Sequence, residues 1–149
     1  MPERRPRYTN SSTFSTVVKD RLELLKVSMS KQVSVEADLS WQLPRVHANP
    51  AQIRQVVMNL FYNASEAIGD RGGVIRVATR PVTVDPDSSL ANSMRVGDYV
   101  ELEVSDNGRG MTPEVQARIF DPHFTTKVTG HGHGLVVVKR IVERHHGAM

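Results

Sequence analysis

The chain has 149 residues, a formal net charge of +3, 39% hydrophobic and 23% charged residues, and no cysteine. This is the length and composition of one globular domain able to bury a core. It excludes a disulfide frame and a thiolate metal site, it lacks the long apolar stretch of a membrane span or signal peptide, and its scattered basic residues with few aromatics argue against nucleic acid.

Residues 1–12, MPERRPRYTNSS, are polar and irregular and are expected to be a linker or appended tail, which leaves 13–149 as the domain. From Thr13 to Ser30 the residues Phe14, Val17, Val18, Leu22, Leu25 and Met29 recur near helical spacing, so an amphipathic helix is expected there. VSVEAD (33–38) alternates as a strand does, and LPRV (43–46) reads as a short extended piece. The strongest helix follows: Asn49 is a good N-cap, Pro50 suits the first helical position, and Gly72 lies past the end. Its apolar face is expected to be Ile53, Val56, Val57, Leu60, Ala64 and Ile68, with Gln52, Gln55, Asn59, Asn63 and Glu66 opposite. VIRVATRPVTV (74–84) and DYVELEV (98–104) read as an antiparallel pair of strands joined by a turn-rich loop. TPEVQARIF (112–120) is expected to hold a short helix capped by Thr112, and a last helix to run from about Gly134 to Gly147. The β-branched LVVV run at 135–138 leaves a strand open as the alternative. The element order predicts an α/β (α+β) two-layer sandwich, a mixed sheet with helices on one face.

Three stretches carry chemistry. In YVELEVSD, strict alternation would put Asp106 on the side of Val100, Leu102 and Val104. A carboxylate there needs a partner: a backbone N–H of the following DNGRGM turn, or a ligand donor such as an adenine amino group. Gly108 and Gly110 would then let the backbone approach the base. The polar face of the long helix carries amides at four of its five positions, where a solvated face is usually rich in Lys and Glu. Asn59 and Asn63, one turn apart, could offer neutral oxygens to a hydrated Mg²⁺. In FDPHFTTKVTGHGHGL, the alternating Gly130, Gly132 and Gly134 run into a helix start, which suits phosphate. Thr126 and Lys127 would add a hydroxyl and a charge. His131 and His133 lack the further ligands that zinc would need. His145 and His146 are expected to serve a helix end.

In this order the motifs resemble the ATP-binding catalytic domain of two-component sensor histidine kinases, within the wider Bergerat-fold (GHKL) group. QIRQVVMNLFYNASEAI resembles the N-box, DNGRGM the first glycine box, IFDPHFTTK the F-box and GHGHGL the second glycine box, so that the likeness runs from about Val17 to the end. The resemblance implies ATP and Mg²⁺, with Asn63 as metal ligand and Asn59 its partner one turn earlier. It implies that Asp106 binds the adenine amino group beside Gly108, Gly110 and Met111. It implies a mobile ATP lid within about Arg109 to His131, and Gly130, His131, Gly132, His133, Gly134 and Leu135 at the phosphates, with Thr126 and Lys127. Lys127 is the candidate at the γ-phosphate. Glu66 stands where some members carry a lysine that reaches the phosphates.

Hydrolysing members of the group carry Glu at the position of Asn59, as a general base for water; an amide cannot take that proton. The resemblance therefore implies a kinase that passes the γ-phosphoryl group to a histidine on a dimerisation domain, in cis or in trans, and thence to a response regulator. A GHKL-fold ATPase or a non-catalytic nucleotide-binding or docking module is the alternative. None of the six histidines sits in a phosphoacceptor context. HHGAM stops where the family continues into further strands. The domain is expected to be monomeric and cytoplasmic, within a parent that is itself soluble or membrane-anchored, and to touch neither nucleic acid nor membrane.

Overall fold

In the computed structural model, residues 8, 9, 11–121 and 134–149 are described. Helix α2 (Pro50–Ile68) forms where local chemistry calls for it. The Asn49 carboxamide oxygen accepts the Ala51 N–H at 2.9 Å, Pro50 occupies the first turn, and the Gly69 N–H returns to the Ser65 carbonyl. Around it run β1 (Tyr8–Thr9), α1 (Ser11–Val27), β2 (Val33–Leu39), β3 (Val46–His47), β4 (Gly73–Val84), β5 (Gly97–Asp106), α3 (Pro113–Gln116) and α4 (Gly134–Arg144).

The main sheet has the order β2-β4-β5 and is mixed. Strands β2 and β4 are parallel, Val33 opposite Gly73, which requires the crossover that α2 supplies. Strands β4 and β5 are antiparallel from Ile75 opposite Asp106 to Val84 opposite Gly97, as expected from the sequence. Strands β1 and β3 make a separate antiparallel pair, so Tyr8 and Thr9 are in extended structure with α1 starting two residues later.

One face of the sheet is apolar and is covered by both long helices. Val18, Leu22 and Leu25 of α1 and Ile53, Val57, Phe61, Ala64 and Ile68 of α2 share a core with Ile75 and Val77 of β4. The sequence expectation assigned Leu60 to this face; Phe61 is the residue fully buried, and Leu60 is half-buried. Positions 60 and 61 fit the 3.6-residue stripe equally well, and the larger side chain is the one buried. Within this core lies one polar knot. Ser15 donates to the Ser40 carbonyl at 2.6 Å, and its hydroxyl meets that of Thr79 at 3.0 Å, while the Ser40 N–H donates to Thr79 at 2.9 Å. These bonds satisfy groups that burial would otherwise penalise, and they fix α1 on β2 and β4.

The other face is charged. Arg76 pairs with Glu36 at 2.9 Å, and Arg80 bridges Glu101 at 3.2 Å and Glu103 at 3.1 Å. Hydrogen bonding to Glu103, then to Glu101, holds the Arg80 guanidinium above its ordinary range. These side chains are about half exposed, so each pair adds little stability. Their alternation does oppose a one-residue register slip, which would bury charge.

Helix α4 takes the LVVV run as helix, not strand; Val138 is buried and the helix packs on α2. It ends with His146 at a φ of 60°, the His146 N–H returning to Glu143 and the Gly147 N–H to Val142. A left-handed conformation strains a residue with a Cβ. His146→Gly is therefore expected to stabilise the fold by up to about 1 kcal/mol, raising the melting temperature by roughly 2–4 °C in a scanning calorimeter.

Candidate functional site

The first glycine motif follows β5 directly. Asp106 is opposite the fully buried Ile75, on the side of Leu102 and Val104, but at the strand end its carboxylate is exposed. Its Oδ1 accepts the Gly108 N–H at 2.8 Å, so the turn partner weighed from the sequence is present. Asp106 also borders an open depression with Glu36, Arg76 and Asn107.

The two glycines of the motif have different physical reasons. A Cβ on Gly108 would overlap the Ala67 carbonyl group and lie 2.7 Å from the Ile68 nitrogen. The Arg109 N–H donates to that same Ala67 carbonyl at 3.0 Å, one of the acceptors a helix leaves free near its C-terminal end. Gly108 thus permits the loop to seat on the last turn of α2. Among the described residues nothing lies within 4 Å of a Cβ placed on Gly110, and its φ is 70°, so its need is conformational. The sequence reading gave both glycines to the approach of a base; among the described atoms, the close neighbour of Gly108 is the helix. Met111 follows, about half exposed.

Asn107 went unnoticed in the sequence. Its Oδ1 accepts the Val74 N–H at 2.8 Å and its own N–H reaches the Val74 carbonyl at 3.3 Å. It clips the end of β5 to the start of β4 and so sets where Asp106 stands. The signal available was an Asn between Asp and Gly after a strand, a common place for side-chain-to-backbone bonding.

One turn before Ala67 on the same helix lies Asn63, and one turn before that Asn59; both are half-buried. Asn59 Nδ2 donates to the Gly134 carbonyl at 3.3 Å. A Cβ on Gly134 would stand 3.9 Å from Asn63 Oδ1 and 4.0 Å from Nδ2. The first residue of α4 is therefore seated beside both amides, and these positions of α2 are not a solvated face. Leu135 follows, half-buried, in the first turn of α4, and Glu66 is exposed on α2 three residues past Asn63. Phe120 stacks under Lys139 of α4, with the ammonium 4.8 Å from the ring centroid. Of the flanks of residues 122–133, Phe120 thus touches α4, and Gly134 begins that helix against α2. Thr126, Lys127, Gly130, His131, Gly132 and His133 lie outside the described residues.

Three sequence-predicted pieces, the first glycine loop, the amide pair and the end of the second glycine loop, are accordingly assembled along consecutive turns of α2. Two neutral carboxamides one turn apart, with no side chain on the glycine facing them, form a donor set that fits Mg²⁺, which keeps most of its waters and needs only one or two protein oxygens.

A family profile described as histidine kinase-, DNA gyrase B- and HSP90-like ATPase matches residues 48–149. The chain is 38% identical over 141 residues to the sensor histidine kinase ZraS of Klebsiella oxytoca, a match that covers 93% of this chain and 27% of that protein. It therefore spans about a quarter of the length of that relative. Among solved structures, the nucleotide-free catalytic domain of the histidine kinase ThkA is similar with a TM-score of 0.70 at 26% identity, over 95% of this chain and 82% of that one. ThkA in complex with the response regulator TrrA is similar with a TM-score of 0.65 at 25% identity, over 95% of this chain and 35% of that one.

Proposed function

The chain belongs to the histidine kinase-, DNA gyrase B- and HSP90-like ATPase family, and we propose that it binds Mg²⁺-ATP and, within its whole protein, supplies the γ-phosphoryl group to a phosphoacceptor histidine. The observation that carries this reading is the seating of Gly134 against Asn59 and Asn63, with the Asp106–Gly110 loop docked one turn further along α2. Adenine would be read by the ionised Asp106, which only accepts hydrogen bonds and so suits a purine amino group and repels a carbonyl. Asn63 would hold Mg²⁺ through its carboxamide oxygen, while Asn59, one turn earlier, is engaged with the Gly134 carbonyl. When bound, the cation would neutralise phosphate charge.

Asn59 argues for transfer over hydrolysis. Its nitrogen donates to the Gly134 carbonyl, and an amide does not deprotonate water. A histidine acceptor is a nucleophile already, so positioning and charge neutralisation suffice. The similarity to a kinase solved with its response regulator supports an aspartate-bearing regulator as the next partner. No helix among the described residues is long and apolar enough to cross a membrane; we place the domain in the cytoplasm, within a parent that is itself soluble or membrane-anchored.

Calorimetric titration with ATP and GTP, with Mg²⁺ and with EDTA, tests the reading. The wild type is expected to prefer ATP and to bind it more tightly with Mg²⁺. Asn63→Ala is expected to lose that Mg²⁺-dependent gain, about tenfold or more (about 1.4 kcal/mol), with its circular dichroism unchanged. A folded wild type that binds no nucleotide in either condition would overturn the proposal.

A further inference from the structure

Helices α2 and α4 pack together. Their directions follow from the ties at the two ends. At its start, α4 is held by Asn59, whose Nδ2 donates to the Gly134 carbonyl. Just past its end, His145 accepts the Asn49 N–H on Nε2 at 3.4 Å and engages the Ile141 carbonyl through Nδ1 at 2.7 Å. The helices are therefore antiparallel. From Asn49 to Asn59 the rise is about 15 Å, and from Gly134 to His145 about 16.5 Å, at 1.5 Å per residue. The two ties are thus spaced alike on both helices and fix one register, with Val138 buried between them.

That register matters because Gly134 is also the residue that faces Asn63. A slide of α4 by one residue, about 1.5 Å, would change the spacing between the start of α4 and the Asn63 carboxamide.

We propose that Asn59 is a positioning residue: its amide N–H anchors the Gly134 carbonyl and so sets the start of α4 against Asn63. This deepens the nucleotide-site reading and rests on it. What position 59 must supply is a donor. A carboxylate there has none and would face the carbonyl oxygen of Gly134 with a second acceptor, although it would serve a metal at least as well as the amide does.

The test is Asn59→Asp, with His145→Ala as an independent cut of the far tie, about 15 Å away along α2. ATP affinity is measured for the full chain with Mg²⁺ and with EDTA, well below the melting temperature. Asn59→Asp is expected to weaken binding about tenfold in both conditions and to leave the Mg²⁺-dependent gain at the wild-type ratio. His145→Ala is expected to weaken it roughly threefold, again in both. In nucleotide-free protein, amide exchange across α4 is expected to quicken about tenfold in Asn59→Asp. Loss of only the Mg²⁺-dependent gain would make Asn59 a metal ligand and overturn the proposal, as would unchanged affinity or unchanged α4 exchange. A wild type that binds no ATP would sink the nucleotide reading instead, while the exchange result would still decide whether Asn59 anchors α4.

Discussion

Gly108→Ala is expected to remove measurable nucleotide binding and to lower the melting temperature, although it adds a single methyl group. The new carbon would overlap the Ala67 carbonyl group and press on the Ile68 nitrogen. These are backbone atoms of a buried helix end, Ile68 being 5% exposed, so no flexible side chain can yield. The loop must lift from α2. Lifting breaks the Arg109 N–H bond to Ala67 and carries away the Gly108 N–H that Asp106 holds. Overpacking of this kind costs about 1–3 kcal/mol, which for a chain of this size lowers melting by roughly 2–12 °C. The comparison that isolates the cause is Gly110→Ala. There a Cβ meets nothing within 4 Å among the described residues, and the left-handed backbone at φ 70° is what is disfavoured. Gly110→Ala is expected to cost about 1 kcal/mol and to keep ATP binding within severalfold of wild type. Equal losses at both positions would show that loop flexibility, not the seat on α2, is what the motif requires.

Asp106→Asn is expected to weaken ATP binding by about tenfold to a hundredfold, since a hydrogen bond to a charged group contributes roughly 1.5–3 kcal/mol. It is also expected to bring the ATP-to-GTP affinity ratio close to one. The substitution is nearly isosteric, and its carbonyl oxygen can still accept the Gly108 N–H now held at 2.8 Å. Melting should therefore change little. What changes is the face turned to a ligand: two acceptor oxygens become one acceptor and one donor, so an adenine amino group loses its partner and a guanine carbonyl gains one. Paired ATP and GTP titrations with thermal melts separate the two roles of the side chain. An unchanged nucleotide ratio with a lowered melting temperature would mean that Asp106 serves only its own turn.

Much of this molecule is determined by signals a few residues long. Helix α2 starts where Asn49 and Pro50 say it should, α3 starts under Thr112, whose hydroxyl accepts the Val115 N–H, and the alternating runs become β2, β4 and β5. Capping and periodicity act within a turn or two, so they are visible in the linear chain. The order of the glycine motifs and the amide pair is equally linear, and it suffices to recognise the family. What those residues touch was decided by the tertiary structure. Nothing local indicates that Gly108 presses on Ala67, that Asn107 clips Val74, or that Asn59 reaches Gly134, a residue 75 positions away. The β-branched run at 135–138 was ambiguous by itself and is helical in a helix that buries Val138 and packs on α2. Phe61 displaced Leu60 from the core for the same kind of reason, the space left between α1, α2 and the sheet. Contacts between distant segments depend on packing and on which backbone groups each element leaves unpaired, and both exist only once the chain has closed on itself.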